Sequence, residues 1–117
     1  MGWPVRPLAL RYIERETQAM AAIPIPAGEI AEFCRRNHIR KLALFGSVLT
    51  DEFTPESDVD VLVEFEPGKT PGYGFIGIQE ELSEFFGGHP VDLITFKGLN
   101  WRIRPQVLSE AQVIYAE

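Results

Sequence analysis

The sequence predicts a small α/β protein in which a mixed sheet of three or four strands is covered by helices. Three short apolar runs are typical of strands because Gly, Pro, Ser or charged residues bound them: residues 42–45, 59–65 and 91–96. Three longer segments carry apolar residues at helical spacing: residues 28–38, 75–86 and 101–110. Because helices and strands alternate along the chain, we expect one sheet with helices packed on it.

Local signals mark the ends of these elements. Gly87-Gly88 is expected to end the middle helix. Asn100 is expected to cap the last helix, with Pro105 near its first turn. Residues 113–115 are expected to form a final strand at the edge of the sheet.

The chain has the length of one domain. Its 117 residues can bury a single hydrophobic core but not two. We assign residues 23–117 to the domain and residues 1–22 to an N-terminal extension, either a helix or a flexible segment. Pro24 and Pro26 separate the two parts.

Composition favours a soluble protein of the cytoplasm. The chain is 45% hydrophobic and 24% charged, which is ordinary for a globular domain. No apolar run approaches the roughly 20 residues of a membrane span, and the N-terminus lacks the apolar core of a signal peptide. The single cysteine, Cys34, cannot form an internal disulfide and is expected to be a small buried apolar residue.

The net charge of −6 restricts the possible partners. Contacts along a nucleic-acid backbone need many Lys and Arg side chains, so we expect no direct nucleic-acid binding. An acidic chain can still bind a nucleotide through metal ions, or dock onto a basic protein.

The central stretch, residues 41–65, carries the candidate chemistry. Asp58 and Asp60 open the second strand and point to the same face, because side chains alternate along a strand. Two carboxylates on one face repel each other unless a cation lies between them. Mg²⁺ suits such a site because it binds one or two carboxylates together with substrate phosphates.

Gly46-Ser47 directly follows the first strand and predicts a phosphate-binding turn. Glycine allows a ligand to approach the backbone closely, and the Ser47 hydroxyl adds a donor. If a helix begins at about Val48, its first N–H groups would face an anion.

The motif of Gly46-Ser47, ten residues and then Asp58-Val59-Asp60 resembles the signature of the DNA polymerase β-like nucleotidyltransferase superfamily. The short length and the string 54–63, TPESDVDVLV, are similar to the minimal nucleotidyltransferases (MNT), the antitoxin halves of HEPN/MNT toxin–antitoxin pairs. The resemblance runs from about Ile23 to the C-terminus. It implies the minimal nucleotidyltransferase fold.

The resemblance also gives Asp92 a role. On an otherwise apolar strand a carboxylate is costly unless it is paired or metal-bound, although a strand-end Asp is the ordinary alternative. In the family a third carboxylate on the next core strand completes a metal triad. The resemblance therefore implies that Asp58, Asp60 and Asp92 hold two Mg²⁺ ions, and that Asp92 can also take the acceptor proton.

The implied reaction is transfer of AMP from MgATP, with its phosphates at Gly46-Ser47, to a hydroxyl group. So short a chain has little room for an acceptor domain, so the acceptor is expected to be a separate macromolecule. By resemblance it is a tyrosine of a cognate HEPN ribonuclease toxin, held in a hetero-oligomer.

One departure from the family pattern leaves a second function open. Thr50 stands where these proteins often carry Arg, and Asp51-Glu52 follow where Gly and another residue are usual. Losing a cation near the phosphates would weaken ATP binding. Four cations are candidates to replace it: Arg35, Arg36, Arg40 and Lys69.

The alternative is therefore an antitoxin that neutralises its toxin by binding alone. Transfer to a small molecule such as an aminoglycoside is less favoured, because those enzymes usually have an extra domain or a large dimer interface. A structural domain with incidental aspartates is the least favoured interpretation.

Overall fold

The computed structural model describes residues 21–117. In chain order its elements are helix α1 (Ala27–Arg36), strand β1 (Ile39–Phe45), a 3-10 turn (Gly46–Leu49), strand β2 (Val59–Phe65), helix α2 (Gly74–Phe85), strand β3 (Val91–Thr95), helix α3 (Arg104–Glu110) and strand β4 (Gln112–Ala116). The predicted extension, residues 1–22, lies outside the described residues except for its last two. Its boundary with the domain stays a prediction.

The four strands form one mixed sheet in the order β3-β2-β1-β4. Strand β1 is antiparallel to both β2 and β4, whereas β2 and β3 are parallel. A parallel pair needs a crossover connection, and α2 provides it. The predicted α/β class and the small mixed sheet are confirmed.

The two faces of the sheet bury different residues. Val59, Val61 and Val63 alternate along β2 and are fully buried on the face covered by α1 and α2. Leu62 points to the other face. There a smaller buried cluster packs against half-buried residues of α3, and its members are Ala43, Phe45, Leu62 and Leu99. Asp60 lies two positions before Leu62, so it shares the face that α3 only partly covers.

Three predicted boundaries are corrected. The first helix ends at Arg36, not at residue 38. The last helix begins at Arg104, not at residue 101, because Asn100 forms a turn instead of a cap. Its side-chain oxygen accepts the N–H of Arg102 at 2.9 Å, and its carbonyl accepts the N–H of Arg104 at 3.0 Å. The first strand begins at Ile39, earlier than the apolar run, because Ile39 is fully buried and pairs with Phe65.

Cys34 is a buried core residue, as predicted. Its side chain is fully buried on α1, and burial raises the pKa of the thiol to about 12. A thiol that stays protonated is a poor nucleophile. Across residues 21–117, no helix combines the length and apolar character that crossing a membrane requires.

Two residues of helix α2 test how much its packing on the sheet contributes to stability. Leu82 is fully buried, whereas Ile76 on the same helix is 62% exposed. We expect Leu82→Ala to lower the free energy of unfolding by about 2–5 kcal/mol and Ile76→Ala to change it by less than about 0.5 kcal/mol. Urea denaturation measures both, and equal losses would contradict this assignment of the core.

Candidate active site

Strand pairing brings the predicted site residues to one end of the sheet. Phe45, the last residue of β1, pairs with Asp60 of β2. Asp60 in turn pairs with Asp92 of β3 in the parallel register. Paired positions on neighbouring strands share a face, so the two carboxylates lie side by side. Asp58 lies two residues before Asp60, at the same edge.

Gly46 follows Phe45 directly and lies against Asp60. Its φ of 79° is in the left-handed region, which disfavours residues with a side chain. A Cβ built on Gly46 would collide with Oδ2 of Asp60. Glycine is therefore favoured here for two reasons. The turn needs a positive φ, and the Asp60 carboxylate occupies the space that a side chain at position 46 would fill.

The segment after Gly46 differs from the predicted helix. A four-residue 3-10 turn spans Gly46–Leu49, and no α-helix begins at Val48. Thr50 ends the turn, because its N–H and its hydroxyl both donate to the carbonyl oxygen of Ser47 at 2.9 Å. The first N–H groups of a 3-10 turn lack partners within the turn. Phosphate binding at Gly46-Ser47 stays a prediction, now for a short turn and not for the start of an α-helix.

The three carboxylates influence each other electrostatically. The pKa of Asp60 is raised, mainly by burial and then by the negative charges of Asp92 and Asp58. Asp60 is half-buried, whereas Asp58 and Asp92 are exposed. Like charges near a half-buried carboxylate destabilise its ionised form, so a bound cation would relieve both the repulsion and the burial.

The carboxylates are neighbours, but they do not form a closed ligand cage. Across residues 21–117, no three His, Cys, Asp or Glu side chains converge as a ready-made metal site. The pKa of Asp60 is nevertheless raised by burial and, to a smaller extent, by the charges of Asp92 and Asp58. The strand register, which the backbone sets, keeps Asp60 beside Asp92. An open carboxylate edge suits Mg²⁺, which keeps several waters and bridges to substrate phosphates.

None of the four proposed replacement cations is placed near this edge. Arg36 is paired with Glu81 at 3.0 Å, and Arg40 lies 3.8 Å from Glu117. Arg35 is on α1, which covers the opposite face of the sheet. Lys69 follows the far end of β2. The suggestion that one of them replaces the missing arginine is therefore wrong for this conformation.

His89, which is not part of the predicted motif, lies next to the site. His89 Nδ1 lies 3.0 Å from the carbonyl oxygen of Ser57, immediately before Asp58. Its ring also packs on Phe53, with centroids 4.7 Å apart. The available signal was its position, since His89-Pro90 comes just before β3 and Asp92. His89 also lines a 510 Å³ cleft between residues 23–26 and the end of α2, and none of the three aspartates is among the residues that line it.

Comparison with known proteins gives one family match and several relatives. A family model described as "Nucleotidyltransferase domain" matches residues 28–114. The chain is 30% identical over 76 residues to the putative protein adenylyltransferase MJ0435 of Methanocaldococcus jannaschii, covering 65% of this chain and 80% of that protein. It is 38% identical over 63 residues to MJ1379 of the same organism, another putative protein adenylyltransferase, covering 53% and 62%.

Solved structures share the fold. A putative minimal nucleotidyltransferase superposes with a TM-score of 0.61 and 34% identity, covering 73% of this chain and 85% of that one. A toxin–antitoxin structure with AMP-PNP gives a TM-score of 0.61 at 18% identity, covering 80% and 75%. A tri-AMPylated Shewanella oneidensis HEPN toxin in complex with MNT antitoxin gives 0.54 at 18%, covering 78% and 70%. The predicted minimal nucleotidyltransferase fold is confirmed.

Substitution of Gly46 tests the contact with Asp60. Gly46→Ala introduces both backbone strain and a collision, whereas Gly68→Ala introduces strain alone, because Gly68 has a φ of 76° and open space around it. Positive φ costs a residue with a side chain roughly 1–2 kcal/mol. We therefore expect Gly68→Ala to lose about that much stability and Gly46→Ala to lose clearly more in urea denaturation. Equal losses would show that Asp60 does not crowd Gly46.

The raised pKa of Asp60 predicts how stability depends on pH without divalent metal. The folded state holds the Asp60 proton more tightly than the unfolded chain does, since the ordinary pKa of an aspartate is 3.8. The contribution of Asp60 to the free energy of unfolding is therefore unfavourable above its raised pKa, and this cost disappears as pH falls towards 3.8. In EDTA, Asp60→Asn should stabilise the protein at pH 7 and lose that advantage near pH 4.

The matched control for this titration is Asp51→Asn, which alters an exposed loop carboxylate. It should change the free energy of unfolding by less than about 0.5 kcal/mol at either pH. Denaturation of all three proteins at both pH values makes the comparison. An Asp60→Asn protein that is less stable than the wild type at pH 7 would contradict the account of the charges.

Proposed function

Since the chain belongs to the nucleotidyltransferase domain family, we propose that it transfers AMP from MgATP to a hydroxyl group of a protein partner. The observation that carries this proposal is the register that puts Asp60 beside Asp92 and directly across from the Gly46 turn. That arrangement would place two binding sites next to each other. The turn would bind an anion, and the carboxylates would bind a cation.

The roles of the residues follow from their positions. Gly46-Ser47 would bind the phosphates of ATP through backbone N–H groups and the Ser47 hydroxyl. Asp58, Asp60 and Asp92 would hold two Mg²⁺ ions. When bound, these ions neutralise charge on the phosphates and lower the pKa of the acceptor hydroxyl.

The acceptor oxygen attacks the α-phosphorus of ATP, and the bond from that phosphorus to the α,β-bridging oxygen breaks. AMP is thereby joined to the acceptor, and pyrophosphate leaves. The exposed carboxylate of Asp92 accepts the hydroxyl proton and passes it to water. Most of the acceleration comes from positioning and charge stabilisation, as in other phosphoryl transfers.

We infer that the acceptor is a tyrosine of a HEPN-type toxin, with which the chain assembles as an antitoxin. Two relatives are named putative protein adenylyltransferases, and two structural neighbours are toxin–antitoxin structures. In one of those neighbours the HEPN toxin is AMPylated. Exposed aromatic residues on this chain, Tyr73 at 100% and Trp101 at 69%, also favour a protein partner.

The second candidate function is neutralisation by binding alone. It is favoured by Thr50, which is committed to the turn through its bond to Ser47, and by the absence of Arg36 and Arg40 from the carboxylate edge. A double substitution, Asp58→Asn with Asp60→Asn, separates the two functions in cells that express the toxin. Loss of neutralisation supports transfer, whereas full neutralisation supports binding alone.

The direct test uses α-labelled ATP, Mg²⁺ and the protein encoded next to this one. We expect label on the second protein, and at least a 100-fold fall in kcat/KM for Asp60→Asn, because metal charge stabilisation is worth several kcal/mol, where about 1.4 kcal/mol is tenfold. Glu64→Gln is the matched control, since Glu64 lies on the same strand four residues along. Equal transfer by wild type and Asp60→Asn would contradict the proposed site.

A further inference from the structure

The backbone of Asp58 is held in place by different contacts from those that hold the other two carboxylates. Asp60 and Asp92 lie within strands β2 and β3, whereas Asp58 lies just before β2, at the end of a mostly exposed loop. A residue outside a strand lacks the ladder that fixes its neighbours, so another contact must hold Asp58 beside Asp60. Positions of this kind are the ones that local opening loosens first.

The peptide groups on both sides of Asp58 are bonded to one dipeptide, His89-Pro90. The carbonyl oxygen of Ser57, before Asp58, lies 3.0 Å from His89 Nδ1. The N–H of Val59, after Asp58, donates to the carbonyl oxygen of Pro90 at 2.8 Å. Because a carbonyl oxygen only accepts, Nδ1 carries the proton and donates it.

His89 is itself held from two other directions. Its carbonyl oxygen accepts the Ser83 hydroxyl of helix α2 at 2.6 Å, and its ring packs against Phe53. Phe53 is half-buried against the main core, and it lies in the same loop that leads to Asp58. The imidazole is therefore fixed to the body of the protein on one side and to the loop on the other.

We propose that His89 is a positioning residue that fixes Asp58 relative to Asp92 through its Nδ1–H···O bond to Ser57. Two residues separate His89 from Asp92 on the chain, so the bond ties the Asp58 loop to the segment that leads into β3. The inference rests on the proposed function, because its purpose is to present Asp58 to a metal ion. His89 contacts neither metal nor nucleotide in this role.

Two substitutions separate the donor from the ring. His89→Asn keeps an N–H donor attached to Cγ, as Nδ1 is, but removes the ring. His89→Phe keeps a ring against Phe53 but removes the donor. The probe is Mn²⁺, titrated into the nucleotide-free full-length protein and followed by electron paramagnetic resonance of the free ion.

We expect His89→Phe to weaken Mn²⁺ affinity by about threefold to tenfold, the effect of losing one hydrogen bond. His89→Asn should stay within about twofold of the wild type. A merely structural role would lower the thermal midpoint of His89→Phe and leave the Mn²⁺ affinity of the folded protein unchanged. That result, or equal weakening in both variants, would overturn the inference.

Amide hydrogen exchange of the metal-free protein supplies a second measurement. The Val59 N–H should exchange faster in His89→Phe than in the wild type and His89→Asn, and unchanged exchange would overturn the inference. If His89→Phe does not fold, Ser83→Ala loosens the same residue from its other side and should weaken Mn²⁺ binding in the same direction. Wild-type protein that binds no Mn²⁺ would overturn the proposed function, while the exchange result would still decide the role of His89 in holding Asp58.

Discussion

The parallel pairing of β2 with β3 is the constraint on which the rest of the site depends. It puts Asp60 beside Asp92, and the antiparallel pairing of β1 puts Phe45, and so Gly46, across from Asp60. Moving β2 by one residue would send Asp60 into the core and Val61 to the open face. The fully buried valines at 59, 61 and 63 prevent that shift. The same alternation therefore secures both the core and the carboxylate edge.

Some features of the site are expected to lower the stability of the fold. Asp60 is half-buried, its pKa is raised by burial and by two neighbouring carboxylates, and Gly46 adopts a backbone conformation that only glycine accepts easily. Features of this kind collect where binding a ligand offsets them. The remainder of the sheet compensates through apolar packing against α1 and α2. The cations proposed for this site would also relieve the repulsion among the carboxylates.

Much of the fold could be predicted from the sequence because its signals are local. The runs at 59–65 and 91–96 and the helical pattern at 75–86 correspond to β2, β3 and α2 within one residue at each end. The placement of Asp60 on the open face follows from alternation along β2, whereas Asp58 lies just before the strand and is held by contacts with His89-Pro90. The role of Asp92 came from the resemblance to a family, and the structure adds its position beside Asp60.

The remaining differences depend on hydrogen bonds and ion pairs, some local and some between distant residues, that the sequence pattern does not show. The turn at Gly46–Leu49 stays short because Thr50 bonds back to Ser47, a competition that apolar periodicity does not show. Arg36 and Arg40 were candidates for the phosphate site by charge alone, but their partners, Glu81 and Glu117, come from other parts of the chain. The contact of His89 could not be predicted from local pattern, since its partner Ser57 is 32 residues away in sequence.

The most direct test of the central claim is a nuclear magnetic resonance spectrum of the backbone amides recorded with substoichiometric Mn²⁺ and a non-hydrolysable ATP analogue. The account predicts that paramagnetic broadening removes the signals of Gly46, Asp58, Asp60 and Asp92 first. The signals of Arg36 and Lys69 should persist. Broadening centred elsewhere, or spread evenly over the acidic surface, would contradict a metal–nucleotide site at this edge of the sheet.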